Sequence, residues 1–302
     1  MNLYSIGLAV SIMVCVAAFI LLNRPRTAMS SVLLISGFSA LGGLLCARLV
    51  YWFGALDFFI GRTHNVLSFF WWTDGGFSLF GAVAGAAGCA WLACRWLKED
   101  KRTLDLLALP LLLLVAEGRL LEWTAVGMDF GGALESPAWL AVSGEYGGRL
   151  NVALIEALMM IAVAVGLIIR MRVKAKKRVP LRDTLFLMGL CEALAISMRH
   201  DTYMMWGFVH QEQLYFYLLS SLMVILTGFE ARKPIAGIIS AFIAAGAIIF
   251  LEFALDGRIH VPFAFMREWA DLFWYALFIL ALAAYTIYYF SMRRGAERKR
   301  AS

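Results

Sequence analysis

The sequence is poor in charged residues. Only 16% of its 302 residues are Asp, Glu, Lys or Arg, and 62% are hydrophobic, whereas a soluble globular domain carries about 25% charged residues. This composition excludes an ordinary soluble domain and predicts a membrane protein. It also leaves little polar sequence for a second globular unit, so we expect one helix bundle.

Cysteine is scarce as well. The five cysteines all fall inside apolar segments, and none has a neighbour at a spacing typical of a metal site. They are Cys15, Cys46, Cys89, Cys94 and Cys191. We interpret them as small buried hydrophobic residues, which excludes a disulfide framework, and no motif predicts a metal or a cofactor.

Apolar runs of about 20 residues, the length that crosses a bilayer, recur nine times. They lie near 3–22, 32–53, 76–97, 104–123, 150–169, 183–199, 213–229, 235–254 and 268–290. The pattern predicts an all-α polytopic membrane bundle of about nine transmembrane helices. The first run has no basic segment before it and has arginines after it, so we interpret it as an uncleaved span rather than a signal peptide.

Basic residues concentrate in alternate loops. Most of the 27 lysines and arginines lie in the first, third, fifth and seventh connections and in the C-terminal tail. By the positive-inside rule the N-terminus is outside and the C-terminus is cytoplasmic. The positive charge therefore reflects orientation in the membrane, and we expect no nucleic-acid partner; the basic tail, 293–300, is expected to contact anionic lipid.

The predicted outer loops are longer than the inner ones. Aromatic residues are dense in 54–75, which fits the headgroup belt of a membrane protein or, alternatively, a re-entrant or surface-lying loop that only anchors the bundle. The glycine-rich segment 124–149 predicts a small extracytoplasmic cap. All four histidines map to this side; they are His64, His200, His210 and His260.

Small residues share one face of the third run. Gly81 and Gly85 are four residues apart, as are Ala84 and Gly88, and residues four apart lie on the same helix face. Such faces let membrane helices approach closely, so we expect this helix to be the hub of the bundle. The stretch Asp74-Gly75-Gly76 precedes it, and we expect a lipid-handling site there.

Ionisable residues occur inside the predicted spans, where they are costly and are functional candidates by default. They are Arg48, Glu117, Arg119, Glu122, Glu156, Glu192 and Glu252, with Arg199 at the end of a span. Several converge on the outer half of the bilayer, where arginines beside carboxylates predict a site for a phosphate headgroup. The alternative is an interhelical ion-pair network that only holds the bundle together. Glu252, near a span end, is expected to snorkel.

Five segments, in order, resemble motifs of the prolipoprotein diacylglyceryl transferase family. Cys46 to Tyr51 resembles Gly-Ala-Arg-x-x-Tyr, and Trp72 to Gly81 resembles Trp-x-Gly-Gly-Met-Ser-Phe-His-Gly-Gly. Gly118 to Glu122 resembles Gly-Arg-x-x-Asn, and Ala153 to Glu156 resembles Gln-Leu-Tyr-Glu. The last segment, Glu192 to Arg199 followed by Gln213-Leu214, resembles Arg-x-x-x-Glu-Phe-x-Arg followed by Gly-Gln-Leu. The resemblance covers roughly 30–229. It implies a transferase-like core over 1–229 and two additional helices with a basic tail over 230–302.

The resemblance implies an enzyme of the bacterial inner membrane that moves a diacylglyceryl group from phosphatidylglycerol to a lipobox cysteine. Its partners would be phosphatidylglycerol or another anionic phospholipid and a prolipoprotein signal peptide. The implied catalytic residues are Arg119, Arg199 and Glu156, and the implied substrate-binding residues are Arg48, Tyr51, Asp74, Gly75, Gly76, Ser78, Gly81 and Glu122. We expect Arg48, Arg119, Glu156 and Arg199 to line one cavity that opens sideways to lipid.

The sequence also departs from the family pattern. The family histidine falls at Leu79 or Phe80, the asparagine after Gly-Arg is Glu122, and the first arginine and the glutamate of the span-six motif are Glu192 and Ile196. His200 or His64 could supply a replacement base. The alternative function is a non-catalytic relative that binds lipid or lipoprotein. A transporter has little support, since no pair of matched broken helices is evident.

Overall fold

The computed structural model is almost entirely helical in the part of the chain that it describes. The described residues are 3–24, 27–62, 69–70, 76–124, 130–133, 138–144, 147–173, 181–199, 205–207, 209–259 and 270–301. The helices are α1 (Leu3–Asn23), α2 (Met29–Gly54), α3 (Leu79–Trp96), the short α4 (Lys101–Asp105), α5 (Ala108–Thr124), α6 (Val152–Val173), α7 (Leu181–Ser197), α8 (Gln211–Glu230), α9 (Pro234–Phe253) and α10 (Ala270–Ala301). Single π-helical segments, Asp57–Arg62 and Ala254–Arg258, follow α2 and α9.

Each of the nine predicted runs coincides with one long helix of the described chain. Seven of these helices are long and apolar enough to cross a membrane, so the predicted polytopic bundle is confirmed at that level. The other two, α5 and α7, have 17 residues each, which is about 25 Å at 1.5 Å per residue. It stays a prediction that α5 and α7 also cross the membrane. The predicted orientation, with the N-terminus outside, stays a prediction as well.

Among the described residues, two small antiparallel sheets interrupt the helices. Strands β1 (Phe130–Ala133), β2 (Ala141–Gly144) and β3 (Gly147–Asn151) form a sheet in the order β1-β3-β2, within the segment that predicts a cap. A hairpin of β4 (Met205–Trp206) and β5 (Val209–His210) precedes α8. Gly207 has a φ of 65° at its turn, a conformation that favours glycine.

The helices divide into two compact units. The first contains Met1–Thr184 and Arg199–Met204, and the second contains Leu185–Met198 and Met205–Ser302. The first unit therefore holds α1 to α6, and the second holds most of α7 with α8 to α10. The division predicted from the resemblance, 1–229 and 230–302, follows the extent of the motifs rather than compactness and stays a prediction.

In the first unit, α3 packs against α2 through its small residues. A Cβ atom on Gly81 would collide with the carbonyl group of Cys46, and one on Gly85 would lie 2.5 Å from the Cβ atom of Cys46. Ser39 Oγ also donates to the Ala86 carbonyl at 3.1 Å. The Gly81 and Gly85 face thus makes the close contact that the spacing predicts, whereas a Cβ on Gly88 would meet nothing within 4 Å.

In the second unit, α7 packs against α8 and α10. The ring of Phe186 stacks on that of Tyr289, with centroids 4.0 Å apart. Ser220 Oγ donates to the Phe186 carbonyl at 3.0 Å, and a Cβ on Gly189 would lie 2.6 Å from the carbonyl oxygen of Phe216. Close backbone approach at Gly189 therefore sets the distance between α7 and α8.

Candidate functional site

A buried carboxylate joins two arginines in the first unit. Arg119 Nε lies 2.5 Å from Glu156 Oε2, and Arg199 Nη2 donates to Glu156 Oε1 at 3.0 Å. The side chains of Arg119, Glu156 and Arg199 are 6%, 0% and 10% exposed. We call these three residues the Glu156 cluster. The structure thus brings together all three residues that the sequence nominates as catalytic.

Local structure fixes where Glu156 lies on α6. Strand β3 ends at Asn151 and α6 begins at Val152. The Asn151 side chain accepts a hydrogen bond from the Leu154 amide at 3.0 Å, which is the contact of a helix N-cap. Glu156 therefore lies just beyond the first turn of α6. Arg119 is on α5, which packs against α6.

The charge of the Glu156 cluster determines what it can do. Two guanidinium groups meet one carboxylate here, and buried ion pairs of this kind are screened by salt much less than surface pairs. Arginines held in this way can recognise a phosphodiester through charge-assisted hydrogen bonds. The same contacts also hold α5 and α6 to Arg199, two residues beyond the end of α7, as the ion-pair alternative requires.

Arg48 has a different set of partners. Its side chain is fully buried; Nε donates to the Phe69 carbonyl and Nη1 to the Gly76 carbonyl, each at 2.9 Å. Its guanidinium carbon lies 5.4 Å from the ring centroid of Tyr51 and 5.9 Å from that of Phe77. Arg48 therefore binds main-chain carbonyls at Phe69 and at Gly76. That it lines one lipid-open cavity with Arg119, Glu156 and Arg199 stays a prediction.

Other residues that the sequence nominates for substrate binding lie around the N-terminus of α3. The ring of Tyr51 lies where a Cβ on Gly76 would be, so any larger residue there would have to displace the ring. Ser78 caps α3 by accepting from the Gly81 amide at 3.2 Å, and its own amide donates to the Ala47 carbonyl at 3.0 Å. Tyr51, Gly76, Ser78 and Gly81 thus lie together along the contact of α2 with α3.

Several nominated residues lie outside what the structure describes. They are Asp74, Gly75, the side chain of Glu122, and the two proposed replacement bases His64 and His200. His210, the last residue of β5, is described and is buried. Within the described ranges, no group of three His, Cys, Asp or Glu residues could hold a metal ion.

Glu252 does not snorkel, and the expectation that it would is wrong. The residue is 6% exposed, and its Oε1 accepts from Gln213 Nε2 at 2.6 Å. The amide nitrogen of Gln213 also donates to the Ala193 carbonyl at 3.1 Å. Because the two partners of Gln213 lie on α7 and α9, hydrophobicity along the chain carried no signal for this contact.

The chain matches a known protein family. Residues 1–231 match the family described as prolipoprotein diacylglyceryl transferase. The matched region contains Arg48 and the whole Glu156 cluster, and it ends just after α8. It leaves α9 and α10 outside. No curated protein matches the sequence.

Proposed function

The chain belongs to the prolipoprotein diacylglyceryl transferase family, and on that premise we propose that it moves the diacylglyceryl group of phosphatidylglycerol to the cysteine thiol of a prolipoprotein lipobox. The observation that carries this proposal is the Glu156 cluster, which brings two buried arginines together on one carboxylate and lies in the matched part of the chain. The reaction takes place in the bacterial inner membrane, and the N-terminus faces outward.

In the proposed reaction the lipobox thiolate attacks the diacylglyceryl carbon that carries the phosphate. A carbon–sulfur bond forms and the carbon–oxygen bond breaks; the bonding electrons leave with glycerol 1-phosphate. The thiol proton passes to solvent or to the departing phosphate, so no oxidant, reductant or other co-reactant is needed. The enzyme must therefore stabilise the leaving phosphate and favour the thiolate.

Arg119 contacts the phosphate as it leaves, and Arg199 supports it. A positioned cation stabilises charge that develops in the transition state, and burial makes that interaction stronger than it would be in water. Glu156 orients both guanidinium groups and does not act as a base, since each carboxylate oxygen faces an arginine.

The arginines of the cluster also favour the nucleophile. A free thiol with a pKa near 8.5 is only a few per cent ionised at pH 7, and nearby cations lower the pKa of a thiol. Where the resemblance places the family histidine, the chain has Leu79 or Phe80, and neither side chain takes a proton. The arginines of the Glu156 cluster are therefore the groups that we expect to favour the thiolate, with His200 or His64 as the alternative base.

A second candidate is a non-catalytic relative that binds an anionic lipid or a lipoprotein. Two features favour it: Leu79 or Phe80 stands where the resemblance places the family histidine, and Arg119 and Glu156 are deeply buried. This candidate predicts phospholipid binding that depends on Arg119, with no release of glycerol phosphate.

One experiment separates the two candidates. The protein is expressed in bacteria depleted of their own transferase, together with a lipobox reporter whose mobility shifts on lipidation; the purified protein is assayed for glycerol phosphate release from phosphatidylglycerol vesicles. The transferase proposal predicts a shift and release, both lost in Arg119→Ala. Arg258→Ala is the matched control, because Arg258 is 54% exposed and pairs with Asp256. Well-expressed protein that binds the vesicles but gives neither signal would overturn the transferase proposal.

A further inference from the structure

Asn151 has a buried side chain whose amide nitrogen lacks a partner in the described part of the chain. The residue is 3% exposed and lies where β3 ends and α6 begins. Its Oδ1 accepts from the Leu154 amide at 3.0 Å. Because only the oxygen of the group can accept that bond, the orientation of the amide is fixed and Nδ2 is left as a donor.

This donor and the helix end beside it favour the same kind of ligand. A buried donor without an acceptor costs free energy, so a ligand that brings an acceptor gains by binding there. The first amides of a helix such as α6 lack intrahelical partners and carry partial positive charge. Both features favour an oxygen that accepts a hydrogen bond and disfavour a positively charged group.

Arg149 adds a full positive charge on the same side of β3. Residues two apart on a strand point to the same face, so the side chains of Arg149 and Asn151 share one. The sheet fixes their spacing, because Arg149 lies opposite Val142 of β2 and Asn151 lies opposite Phe130 of β1. Arg149 is partly exposed, whereas Asn151 is buried. We call these two residues the Asn151 pair.

The Asn151 pair and the Glu156 cluster belong to the same compact unit. Glu156 is five residues after Asn151, which is about 7.5 Å along a helix at 1.5 Å per residue. The pair lies on the side of the three-stranded sheet, before α6 enters its apolar stretch. A lipid phosphate at the cluster and the headgroup that it carries, a few bonds away, span a distance of this order.

We propose that Asn151 and Arg149 select the headgroup of the phospholipid, accepting a glycerol alcohol and rejecting an ethanolamine ammonium. The inference rests on the proposed function in placing the lipid phosphate at the Glu156 cluster. A glycerol hydroxyl accepts a hydrogen bond from Asn151 Nδ2, whereas an ammonium has only donors and is repelled by Arg149. Discrimination of this kind depends on what the site excludes as well as on what it binds.

The test measures lipid binding in the absence of any lipobox peptide, so it does not depend on transfer. Native mass spectrometry of the purified full chain compares phosphatidylglycerol, phosphatidylethanolamine and phosphatidic acid, which has a phosphate but no headgroup alcohol. We expect the wild type to prefer phosphatidylglycerol to phosphatidylethanolamine by about tenfold or more, the scale of one hydrogen bond.

Two variants keep the cap of α6 and remove the donor, because serine and aspartate are both good N-cap residues. Asn151→Ser should lower the affinity for phosphatidylglycerol about tenfold and leave that for phosphatidic acid unchanged. Asn151→Asp replaces the donor by a negative charge and should shift the preference toward phosphatidylethanolamine. Arg149→Gln removes the repulsion of the ammonium and should raise the affinity for phosphatidylethanolamine.

Asn23→Ser is the matched control. Asn23 is another buried asparagine of the first unit, at the end of α1, where its Nδ2 donates to the Phe19 carbonyl at 3.0 Å. This variant should bind all three lipids as the wild type does, even if its Tm falls.

The outcomes separate this inference from the proposed function. Wild-type protein that selects phosphatidylglycerol but transfers no lipid would refute the proposed function and leave the inference standing. Three results overturn the inference: wild-type protein that binds phosphatidylglycerol and phosphatidylethanolamine equally or binds neither, Asn151 variants that keep the wild-type preference, and a loss in Asn151→Ser that phosphatidic acid shows to the same extent.

Discussion

Arg48 Nη1 donates to the carbonyl oxygen of Gly76 at 2.9 Å, and the same guanidinium binds the Phe69 carbonyl through Nε. One side chain of α2 thus holds the main chain just before α3 begins. The ring of Tyr51 closes over Gly76 from the same helix. The motif that the sequence singles out is therefore positioned by a buried arginine that binds protein backbone.

Two replacements of Arg48 should separate the effect of its charge on stability from the effect of its hydrogen-bond geometry. Arg48→Lys keeps the charge, but a compact ammonium does not reproduce the planar fork that reaches two carbonyls. Hydrogen bonds made by charged groups contribute about 1.5–3 kcal/mol each, so we expect Arg48→Lys to lower the free energy of unfolding by about 2 kcal/mol and Arg48→Ala by more. Thermal unfolding in detergent measures the change.

The matched control for this prediction is Arg95→Lys. Arg95 is exposed and lies over the ring of Trp91, so its replacement should leave Tm within about 1 °C, as surface substitutions usually change stability by less than 0.5 kcal/mol. Equal Tm values for Arg48→Lys and the wild type would show that the two carbonyl contacts contribute nothing.

Gly81 and Gly88 lie on the same helix but should respond oppositely to alanine. A Cβ on Gly81 would lie 2.8 Å from Ala47 Cα and would collide with the Cys46 carbonyl, which must push α2 and α3 apart. Overpacking of this kind costs about 1–3 kcal/mol. Gly88→Ala meets nothing within 4 Å and should be neutral or stabilising by up to about 1 kcal/mol, because alanine is the better helix former. Thermal unfolding of the two variants measures the difference. Equal Tm values would show that α2 and α3 do not need glycine at position 81 to pack together.

The helices could be predicted from the sequence more fully than the site. Apolar runs report helices in lipid directly, because every backbone group there must be bonded within the segment; α9 was expected at 235–254 and is Pro234–Phe253. The cluster of Arg119, Glu156 and Arg199 followed from charges expected at one depth. The partners of Arg48 and Glu252 did not follow, since main-chain carbonyls and a glutamine on another helix carry no signature in a linear pattern.

Glu156→Gln should be far more damaging than the loss of an exposed carboxylate. It leaves Arg119 and Arg199 buried beside a neutral amide, and breaking a buried pair by removing one partner costs about 3–5 kcal/mol. Asp256→Asn is the control, because Asp256 is 44% exposed in its pair with Arg258 and such pairs contribute about 0–1 kcal/mol. Similar Tm values for the two variants would show that the cluster does not stabilise the first unit.

Glu252 provides a test of whether α9 is fixed to α8 by hydrogen bonding or by packing alone. Glu252→Gln keeps an oxygen that can accept from Gln213 Nε2, so we expect a change in stability below about 1 kcal/mol, the size of a typical hydrogen bond. Glu252→Leu keeps the bulk of the side chain but removes one of the two acceptors of Gln213 Nε2. Gln213 is fully buried, and of those two acceptors it would keep only the Ala193 carbonyl. Loss of a partner for a buried polar group costs about 1–3 kcal/mol, and thermal unfolding should show that loss for Glu252→Leu. If Glu252→Leu is instead as stable as the wild type, packing alone holds α9 on α8.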